Sequence, residues 1–234
     1  MTKLSKGLLL VWTDIPAELE YEFNDWYNRE HMRDRILRID GFIRGRRFVA
    51  VAVAGAPRYL AVYEAHSIAV LQSEPYRALV RNPDALSRRF IPLFQNVIKG
   101  ICDVVTEAGE AEGSVIAMLP IVRKPPHDSA ALRLWISQSL VPRLMREHGI
   151  VAARYIEKNA AALAAATAEH LRSTDKYIDA LLMIEAVSEA DLAGALALIE
   201  PGEFRARGAE PDGAAQRLNL VYTQHVPPVV AGAR

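Results

Sequence analysis

The feature that most constrains the fold of this chain is an order of elements that occurs twice, with a period of roughly 110 residues. In the first half, the compact apolar run at 7–13 predicts a buried strand, and 17–38 predicts a helix. Segments 43–53 and 59–65, rich in Val, Ala and Tyr, predict two further strands. A helical segment broken by prolines and a strand at 97–106 complete the order β-α-β-β-α-β.

The second half follows the same order after a segment rich in Gly and Glu, which has the composition of a linker. Its predicted elements are strands at 114–122, 151–156, 177–187 and 218–226, helices at 130–147 and 188–199, an alanine-rich insertion at 160–172 and a polar loop at 202–215. We therefore predict a first repeat at 1–108, a linker at 109–113 and a second repeat at 114–234.

Local matches between the halves support this repeat. They pair Gly41 with Gly149, Glu64 with Glu185 and, roughly, Trp26 with Trp135. Each predicted unit has a helical layer on one face of a four-stranded sheet, so the other face needs cover. Two such sheets provide that cover by packing on each other, which predicts a closed or nearly closed barrel within one chain.

Composition excludes several classes of protein. Apolar residues make up 51% and charged residues 24% of the chain, as in a globular protein. Lys plus Arg equals Asp plus Glu, at 28 each, which argues against nucleic acid and anionic membranes as partners. No apolar run approaches the ~20 residues of a membrane span, and the apolar run near the start is too short for a signal peptide. We therefore expect a soluble, cytoplasmic protein, in which the single Cys102 is a small buried hydrophobe.

The first predicted helix has an unusual apolar stripe. With Phe23 at zero and ~100° per residue, the stripe spans about 60° on either side and includes Leu19, Trp26, Tyr27 and Leu37. Glu30 and Asp34 fall in the middle of it, and His31 lies at its edge. Buried carboxylates must be paired, protonated or next to a wet cavity. Either this helix covers a pocket, or these carboxylates pair with nearby arginines and His31 lies at the surface.

The string Trp26-Tyr27-Asn28-Arg29-Glu30-His31, followed by Arg35, Gly41-Phe42 and Arg47-Phe48, resembles the first helix and second strand of EthD-like proteins. These belong to the dimeric α/β-barrel superfamily with muconolactone isomerases, polyketide cyclases and small cofactor-free monooxygenases. The resemblance covers 7–65 well and the second half only as topology. It implies an α+β fold of tandem ferredoxin-like βαββαβ units, whose antiparallel sheets pack into an α/β barrel.

The resemblance also implies where a ligand would bind. In such families the pocket lies between the helices and the sheet of one unit, and here the matching residues are Tyr27, His31 and Arg47, with Asp14 at the end of the first strand. The second half lacks the motif, because Ser139 or Leu140 stands where the first half has His31. We therefore expect one functional unit and one scaffold unit; alternatively, neither unit is catalytic.

The chemistry of these side chains suggests roles. His31 titrates near neutrality and is the natural general acid or base, with Asp14 or Glu30 to orient it. Arg47 could hold a carboxylate or stabilise an enolate, and Tyr27 could donate to a carbonyl oxygen. The predicted substrate-binding residues are Trp12, Phe23, Trp26, Asp34, Phe48 and Tyr63. For each aromatic taken singly, core packing is the better explanation.

From these residues we predict a cofactor-independent lyase or isomerase that acts on a small aromatic or carboxylated metabolite. One alternative is a monooxygenase on the same fold, either cofactor-free or haem-dependent. Another is a non-catalytic ligand-binding protein of the stress-response type. We expect no metal site, because no His-x-His or Glu-x-x-His spacing occurs, and no nucleotide loop. The expected partner is a small-molecule substrate, and a homodimer is possible.

Overall fold

A computed structural model describes residues 6–51, 56–124, 129–169 and 176–227 of the chain. The strands in these ranges are β1 (Gly7–Asp14), β2 (Phe42–Ala50), β3 (Tyr59–Ala65), β4 (Gln95–Ala108), β5 (Val115–Arg123), β6 (Ile150–Lys158), β7 (Lys176–Tyr177), β8 (Ala180–Ala186), β9 (Ala209–Pro211) and β10 (Gln216–His225). The prediction of a strand at 43–53 extends to residues 52–53, which lie outside the described residues.

Helices connect these strands. They are α1 (Glu20–Trp26), α2 (Met32–Arg38), α3 (Glu74–Arg81), α4 (Ala85–Phe90), α5 (Ser129–Trp135), α6 (Val141–Leu144), α7 (Ala160–Glu169), α8 (Glu189–Ala197) and α9 (Pro201–Arg205). One five-residue π-helical turn, Tyr27–His31, joins α1 to α2, and another, Ile136–Leu140, joins α5 to α6. Short 3₁₀ turns lie at Ala17–Leu19, Ile68–Gln72 and Ile91–Leu93. No helix in the described ranges is both long and apolar enough to cross a membrane.

Eight of the strands close into an antiparallel barrel. Their order is β1-β3-β2-β10-β5-β8-β6-β4, and β4 pairs with β1 to close the ring. Each half of the chain supplies four neighbouring strands in the same relative order, and the halves meet at β2–β10 and β4–β6. The short strands extend the edges, β7 beside β4 and β9 beside β5. The predicted α+β fold class, two ferredoxin-like sheets that form an α/β barrel, is confirmed.

Side chains alternate along each strand between the barrel interior and the outer face of the sheet, so the protein has apolar cores on both sides of the sheet. Leu8 and Leu10 of β1 point into the barrel, where they pack with residues such as Met118 and Met183. Leu9 points outward and packs under the helices of the first half. Helices α5, α6, α8 and α9 of the second half cover a separate apolar core that contains Trp135. The barrel interior is filled with side chains, so a ligand could bind only between the sheet and the helices.

Two segments differ from the sequence prediction. The polar loop predicted at 202–215 contains α9 and β9, because Phe204 is fully buried against Trp135, with the ring centroids 5.0 Å apart. Pro201 stands in the first turn of α9, where a missing N–H costs nothing. The strand predicted at 177–187 is divided into β7 and β8, which pair with different neighbours.

Candidate functional site

A cavity of about 760 Å³ lies between the outer face of the first-half sheet and the helices that cover it. Its floor consists of outward-facing residues of β1, β3 and β4, which are Leu9, Val11, Tyr63, Val97, Lys99 and Ile101. The π turn, α2, α3 and α4 supply most of the walls. A volume of this size is typical of sites for small organic ligands.

The π turn decides which side chains of the first helix face the cavity. A π turn holds one residue more than an α turn, so the helix positions after it are shifted by one. His31 and Arg35 therefore occupy the inward positions that a 100° helical wheel gives to Glu30 and Asp34. Glu30 is exposed, and Asp34 is partly exposed and pairs with Arg38 at 3.2 Å. The prediction that these two carboxylates lie within the buried stripe is wrong for this reason.

Arg35 and His31 form a buried pair at the cavity wall. The Arg35 guanidinium Nη1 donates to Nδ1 of His31 at 3.0 Å and to the His31 carbonyl oxygen at 3.0 Å. Ser87 Oγ also lies 3.4 Å from Nδ1, but the Ser87 hydroxyl donates to Asp84 at 2.6 Å. A guanidinium only donates, so Nδ1 must accept and the neutral ring carries its proton on Nε2.

The electrostatics keep His31 neutral. Burial lowers the pKa of His31 well below its ordinary value of 6.5, and the charges of Arg35 and Arg47 lower it further. Its ring lies 4.4 Å from that of Trp26 and 4.7 Å from that of Tyr27, measured between centroids. The imidazole is thus held as a hydrogen-bond donor at Nε2 and is a weak proton acceptor.

Two phenols share the same wall. The Tyr63 hydroxyl donates to the Tyr27 hydroxyl at 3.1 Å, and burial raises the pKa of both tyrosines. Arg47 lies 4.3 Å above the Tyr27 ring and donates to Asn28 at 2.7 Å and to Asn24 at 2.8 Å. Because its donors are directed at these two amides, Arg47 supports Tyr27 from behind and does not line the cavity.

The other predicted site residues lie elsewhere. Asp14 accepts from the backbone N–H of Arg58 at 2.6 Å and from Asn96 at 2.8 Å, so it does not orient His31. Trp12 and Phe48 point into the barrel interior, on the opposite face of the sheet from the cavity. Their assignment as cavity walls is wrong because inward and outward positions alternate along a strand.

Phe23 and Trp26 pack in the core behind the cavity. Phe23 lies 5.4 Å from the Tyr27 ring, and Trp26 stacks on Phe90 with centroids 4.9 Å apart. Neither residue lines the cavity; both fix the position of the residues that do. Of the predicted set, the structure brings Tyr27, His31 and Tyr63 together at the cavity.

Charge is the feature of the cavity that the sequence prediction missed. The basic residues in its lining are Arg35, Arg77, Arg81, Arg88 and Lys99. Within the described ranges, no aspartate or glutamate is part of the lining. Arg35 is only 9% exposed, and among the described residues its partners are His31 and Tyr76, neither of them an acid. The described lining therefore combines apolar walls with basic side chains, of which Arg81 pairs with Glu74 and Arg35 is the buried one.

The second half contributes one wall. Helix α7, which lies between β6 and β7 in the chain, packs over the first half and lines the cavity with Leu163, Ala165 and Ala166. Asn159 anchors its start, because its side chain accepts from the Ala162 N–H and donates to Asp103, both at 2.8 Å. The small alanine side chains on this wall leave the cavity open on this side.

Filling this wall should exclude large ligands. In Ala166→Phe the added ring would occupy part of the cavity, so affinity for a three-ring ligand should fall by at least about 10-fold while a one-ring ligand is affected less. Isothermal titration with ligands of increasing ring number measures this. Ala161→Phe is the matched control, since Ala161 is exposed on the same helix. Equal losses in both variants would show that α7 does not limit ligand size.

Comparisons with known proteins support the fold. No protein-family model and no curated protein matches the sequence. A candidate monooxygenase from Fusobacterium nucleatum superposes with a TM-score of 0.62 at 8% identity, covering 96% of each chain. An anthrone oxidase-like protein has a TM-score of 0.60 at 12% identity, over 100% of this chain and 98% of its own. A haem-binding protein from Thermus thermophilus has a TM-score of 0.56 at 10% identity, over 93% of this chain and 92% of its own.

The likeness shows the fold. The chain is an α/β barrel of the kind found in these proteins. At such low identity no residue role transfers, and the EthD-like assignment of the first half stays a prediction.

The described residues of the cavity do not fit a haem group. A histidine that ligates iron usually donates its second ring N–H to a carboxylate or carbonyl, whereas Nδ1 of His31 accepts from a cation. The Tyr27 and Tyr63 phenols stay protonated because burial raises the pKa of each, which makes them poor ligands. No group of three or more His, Cys, Asp or Glu in the described ranges could hold a metal ion.

Proposed function

We propose that this protein is an oxidase or monooxygenase that binds the anion of a hydroxyaromatic small molecule in the first-half cavity and oxidises it with dioxygen. The observation that carries the proposal is the buried guanidinium of Arg35, which has no acidic partner among the described residues and faces a cavity whose described lining is free of acids. A buried cation without a counter-ion costs several kcal/mol, so an anionic ligand would supply the missing partner.

The hydroxyaromatic class follows from the remaining walls. Apolar floor residues such as Leu9, Val11 and Ile101 suit a flat ring system. An ionised ring oxygen could accept hydrogen bonds from Arg35, from Nε2–H of His31 and from the Tyr27–Tyr63 phenol pair. Together these groups would lower the pKa of the bound hydroxyl and increase its ionised fraction.

The reaction with dioxygen requires the ionised form of the hydroxyaromatic substrate. A deprotonated hydroxyaromatic is electron-rich enough to reduce dioxygen directly. In the anthrone type of reaction this anion is shared with a keto tautomer, and the ring CH₂ of that tautomer becomes C=O. One oxygen atom enters the product and the other leaves as water with both hydrogens of the CH₂, so no external reductant is consumed. Two neighbours of known structure, a candidate monooxygenase and an anthrone oxidase-like protein, support this class over the lyase or isomerase that we predict from the sequence.

His31 has a different role in this proposal from the general base expected from sequence. Its Nδ1 is engaged by Arg35, and its low pKa makes it a weak base, so we assign it the task of donating from Nε2 to the substrate oxygen. The substrate proton would pass to water, and the buried guanidinium of Arg35 would select the ionised form.

Oxygen consumption tests the proposal. With anthrone as substrate, we expect one O₂ consumed per anthraquinone formed, at a rate well above that of Arg35→Met protein, without nicotinamide or added metal. An oxygen electrode and product absorbance measure this. Anthrone also oxidises spontaneously, so the variant and heat-treated protein set the background. Equal conversion of a hydroxyaromatic substrate under nitrogen would instead support the isomerase or lyase reaction.

A further inference from the structure

We infer that Ser87 and Asp84 form the route by which the substrate hydroxyl loses its proton, from the cavity through the Ser87 hydroxyl to Asp84 and then to bulk water. This inference rests on the proposed function and deepens it, because the ionised oxygen that binds at Arg35 has to be formed from a neutral hydroxyl. It places Ser87 in contact with the substrate and gives Asp84 a role that acts through Ser87.

The groups that hold the ionised oxygen do not remove its proton. The Arg35 guanidinium only donates, and His31 presents Nε2–H to the cavity because its Nδ1 accepts from Arg35 at 3.0 Å. These donors stabilise the oxygen once it has ionised, and neither of them can take the proton from the hydroxyl. A proton acceptor beside them therefore decides how readily the hydroxyl ionises.

Ser87 lies beside these donors and can accept. It lines the cavity from α4, is only 3% exposed, and its Oγ lies 3.4 Å from the same Nδ1 of His31 that Arg35 contacts. A serine hydroxyl has one proton, and that of Ser87 is donated to Asp84 at 2.6 Å. Toward the cavity, the Ser87 oxygen can therefore only accept, and a substrate hydroxyl is a suitable donor.

Asp84 connects Ser87 to solvent. Its Oδ2 accepts from the Ser87 hydroxyl at 2.6 Å and its Oδ1 from the Ser87 backbone N–H at 2.8 Å. Asp84 is exposed and is not among the described residues of the cavity lining. Burial by itself would raise the pKa of Asp84, but the Ser87 hydroxyl and nearby backbone N–H groups lower it below its ordinary 3.8. Asp84 is thus ionised at neutral pH and returns to water any proton that it receives.

The transfer balances through two coupled steps. The substrate O–H bond breaks, its electron pair stays on the substrate oxygen, and the proton binds Ser87 Oγ while the original Ser87 proton moves to Asp84 Oδ2. Asp84 then releases this proton to bulk water, and the Ser87 hydroxyl rotates back to donate to the carboxylate. Ser87 ends as a neutral hydroxyl, and the ionised substrate oxygen remains with Arg35.

Asp84 also has a structural role, because it is the N-cap residue of α4. The cap needs only an acceptor for the Ser87 backbone N–H, and Asn and Ser are N-caps about as good as Asp. Neither of them takes a proton at neutral pH. The variants Asp84→Asn and Asp84→Ser therefore remove the proton acceptor and keep the cap, and thermal melts check that each is folded.

Oxygen consumption with anthrone measures the effect on turnover. Asp84→Asn and Ser87→Ala should each lower turnover by about 10–100-fold, the lower part of the range for a positioned proton acceptor. The Kd of 4-nitrophenolate, which binds already ionised, should stay within about 2-fold in both variants by isothermal titration calorimetry. Asp25→Asn is the matched control, because Asp25 is an exposed acid of α1 that pairs with Arg29 at 2.8 Å and is not in the described lining.

Chemical rescue separates proton transfer from a structural effect. In Asp84→Ser the side chain is smaller and the position is exposed, so added formate can reach the Ser87 hydroxyl and accept its proton. Formate should restore turnover several-fold in this variant and should leave Arg35→Met unchanged. Sodium chloride at the same ionic strength is the control for screening. A loss caused by altered packing would not respond to a proton acceptor in solution.

The outcomes distinguish this inference from the proposed function. If Asp84→Asn and Ser87→Ala keep the turnover of wild-type protein, or if formate does not restore Asp84→Ser, the route through Ser87 and Asp84 is wrong. The proposed function survives either result provided that wild-type protein consumes oxygen and Arg35→Met does not. If wild-type protein consumes no oxygen with a hydroxyaromatic substrate, both proposals are overturned.

Discussion

Replacing Arg35 by methionine should lower turnover of a hydroxyaromatic substrate by about 10²–10³-fold, the range observed when one oxyanion donor is removed from an active site. Methionine fills a similar volume but cannot donate to the substrate oxygen or balance its charge. The loss should appear in both binding and turnover, because the ionised oxygen needs the guanidinium in the ground state and in the transition state. Steady-state kinetics and ligand titration measure the two effects.

The same variant has a spectroscopic consequence at His31. Burial is the main reason why the pKa of His31 is low, and the charge of Arg35 is the next. Removing that charge should raise the pKa of His31 toward its ordinary value, which NMR titration of the imidazole can follow. Arg38→Met is the matched control, since Arg38 lies on the same helix, is exposed and pairs with Asp34. Normal turnover in Arg35→Met, with a folded protein, would remove the basis of the proposed function.

The sequence predicts the barrel well because its signals are local. Apolar runs of strand length and the repeated order of elements depend only on neighbouring residues, and the closed ring follows from the need to cover two sheet faces. The sequence predicts that the two sheets pack on each other. It does not predict that β2 pairs with β10 and β4 with β6, because pairing between the halves depends on the tertiary structure. The sequence does not predict helix α9 and β9, because Gly, Pro and charged residues surround their buried residues Phe204 and Ala209.

The π turn explains why the site was predicted only in part. A helical wheel drawn at 100° per residue ignores the extra residue of the π turn. It therefore places every residue after this turn one position out of register. One row of buried residues on this helix has a spacing of four, Phe23, Tyr27, His31 and Arg35, and the sequence contains this signal; Trp26, Met32 and Ile36 are buried beside that row. The corresponding residues of the second half are Leu132, Ile136, Leu140 and Leu144, all at most 1% exposed. A four-residue period sustained over several turns therefore indicates a π insertion.

The same alignment shows which side chains of the second half stand at the positions of the polar cavity residues of the first half. Counted through the two π turns, His31 corresponds to Leu140 and Arg35 to Leu144, and on the strands Tyr63 corresponds to Ile184. The second half thus has apolar side chains where the first has polar ones, and they fill its helix–sheet core. Our expectation that the first half carries the site stays a prediction, and the Arg35 variant tests it.

Replacing Glu185 by glutamine should destabilise the fold by about 3–5 kcal/mol, the cost of breaking a buried ion pair from one side. Glu185 is 1% exposed in the barrel interior and accepts from Arg46 at 2.6 and 2.9 Å. It also accepts from Arg154 and from the Gly113 backbone N–H at 3.2 Å. Arg46 lies on β2 and Arg154 on β6, so one carboxylate joins the two halves across the barrel. Urea denaturation monitored by circular dichroism measures the change.

The pH dependence of folding stability shows whether the charge of Glu185, and not its volume, stabilises this cluster. Burial by itself would raise the pKa of Glu185, but the hydrogen bonds and charge of Arg46, with Arg154, lower it from an ordinary 4.5 to about 2. Because the folded pKa lies below the unfolded one, its stabilisation is complete above pH 4.5 and is lost as the pH falls toward 2. The variant should lose this acid sensitivity together with its stability.

The control is Glu210→Gln, at a surface ion pair with Lys124, which should lower the free energy of unfolding by at most about 1 kcal/mol. If Glu185→Gln costs no more than that control, the two arginines are held by something other than this carboxylate.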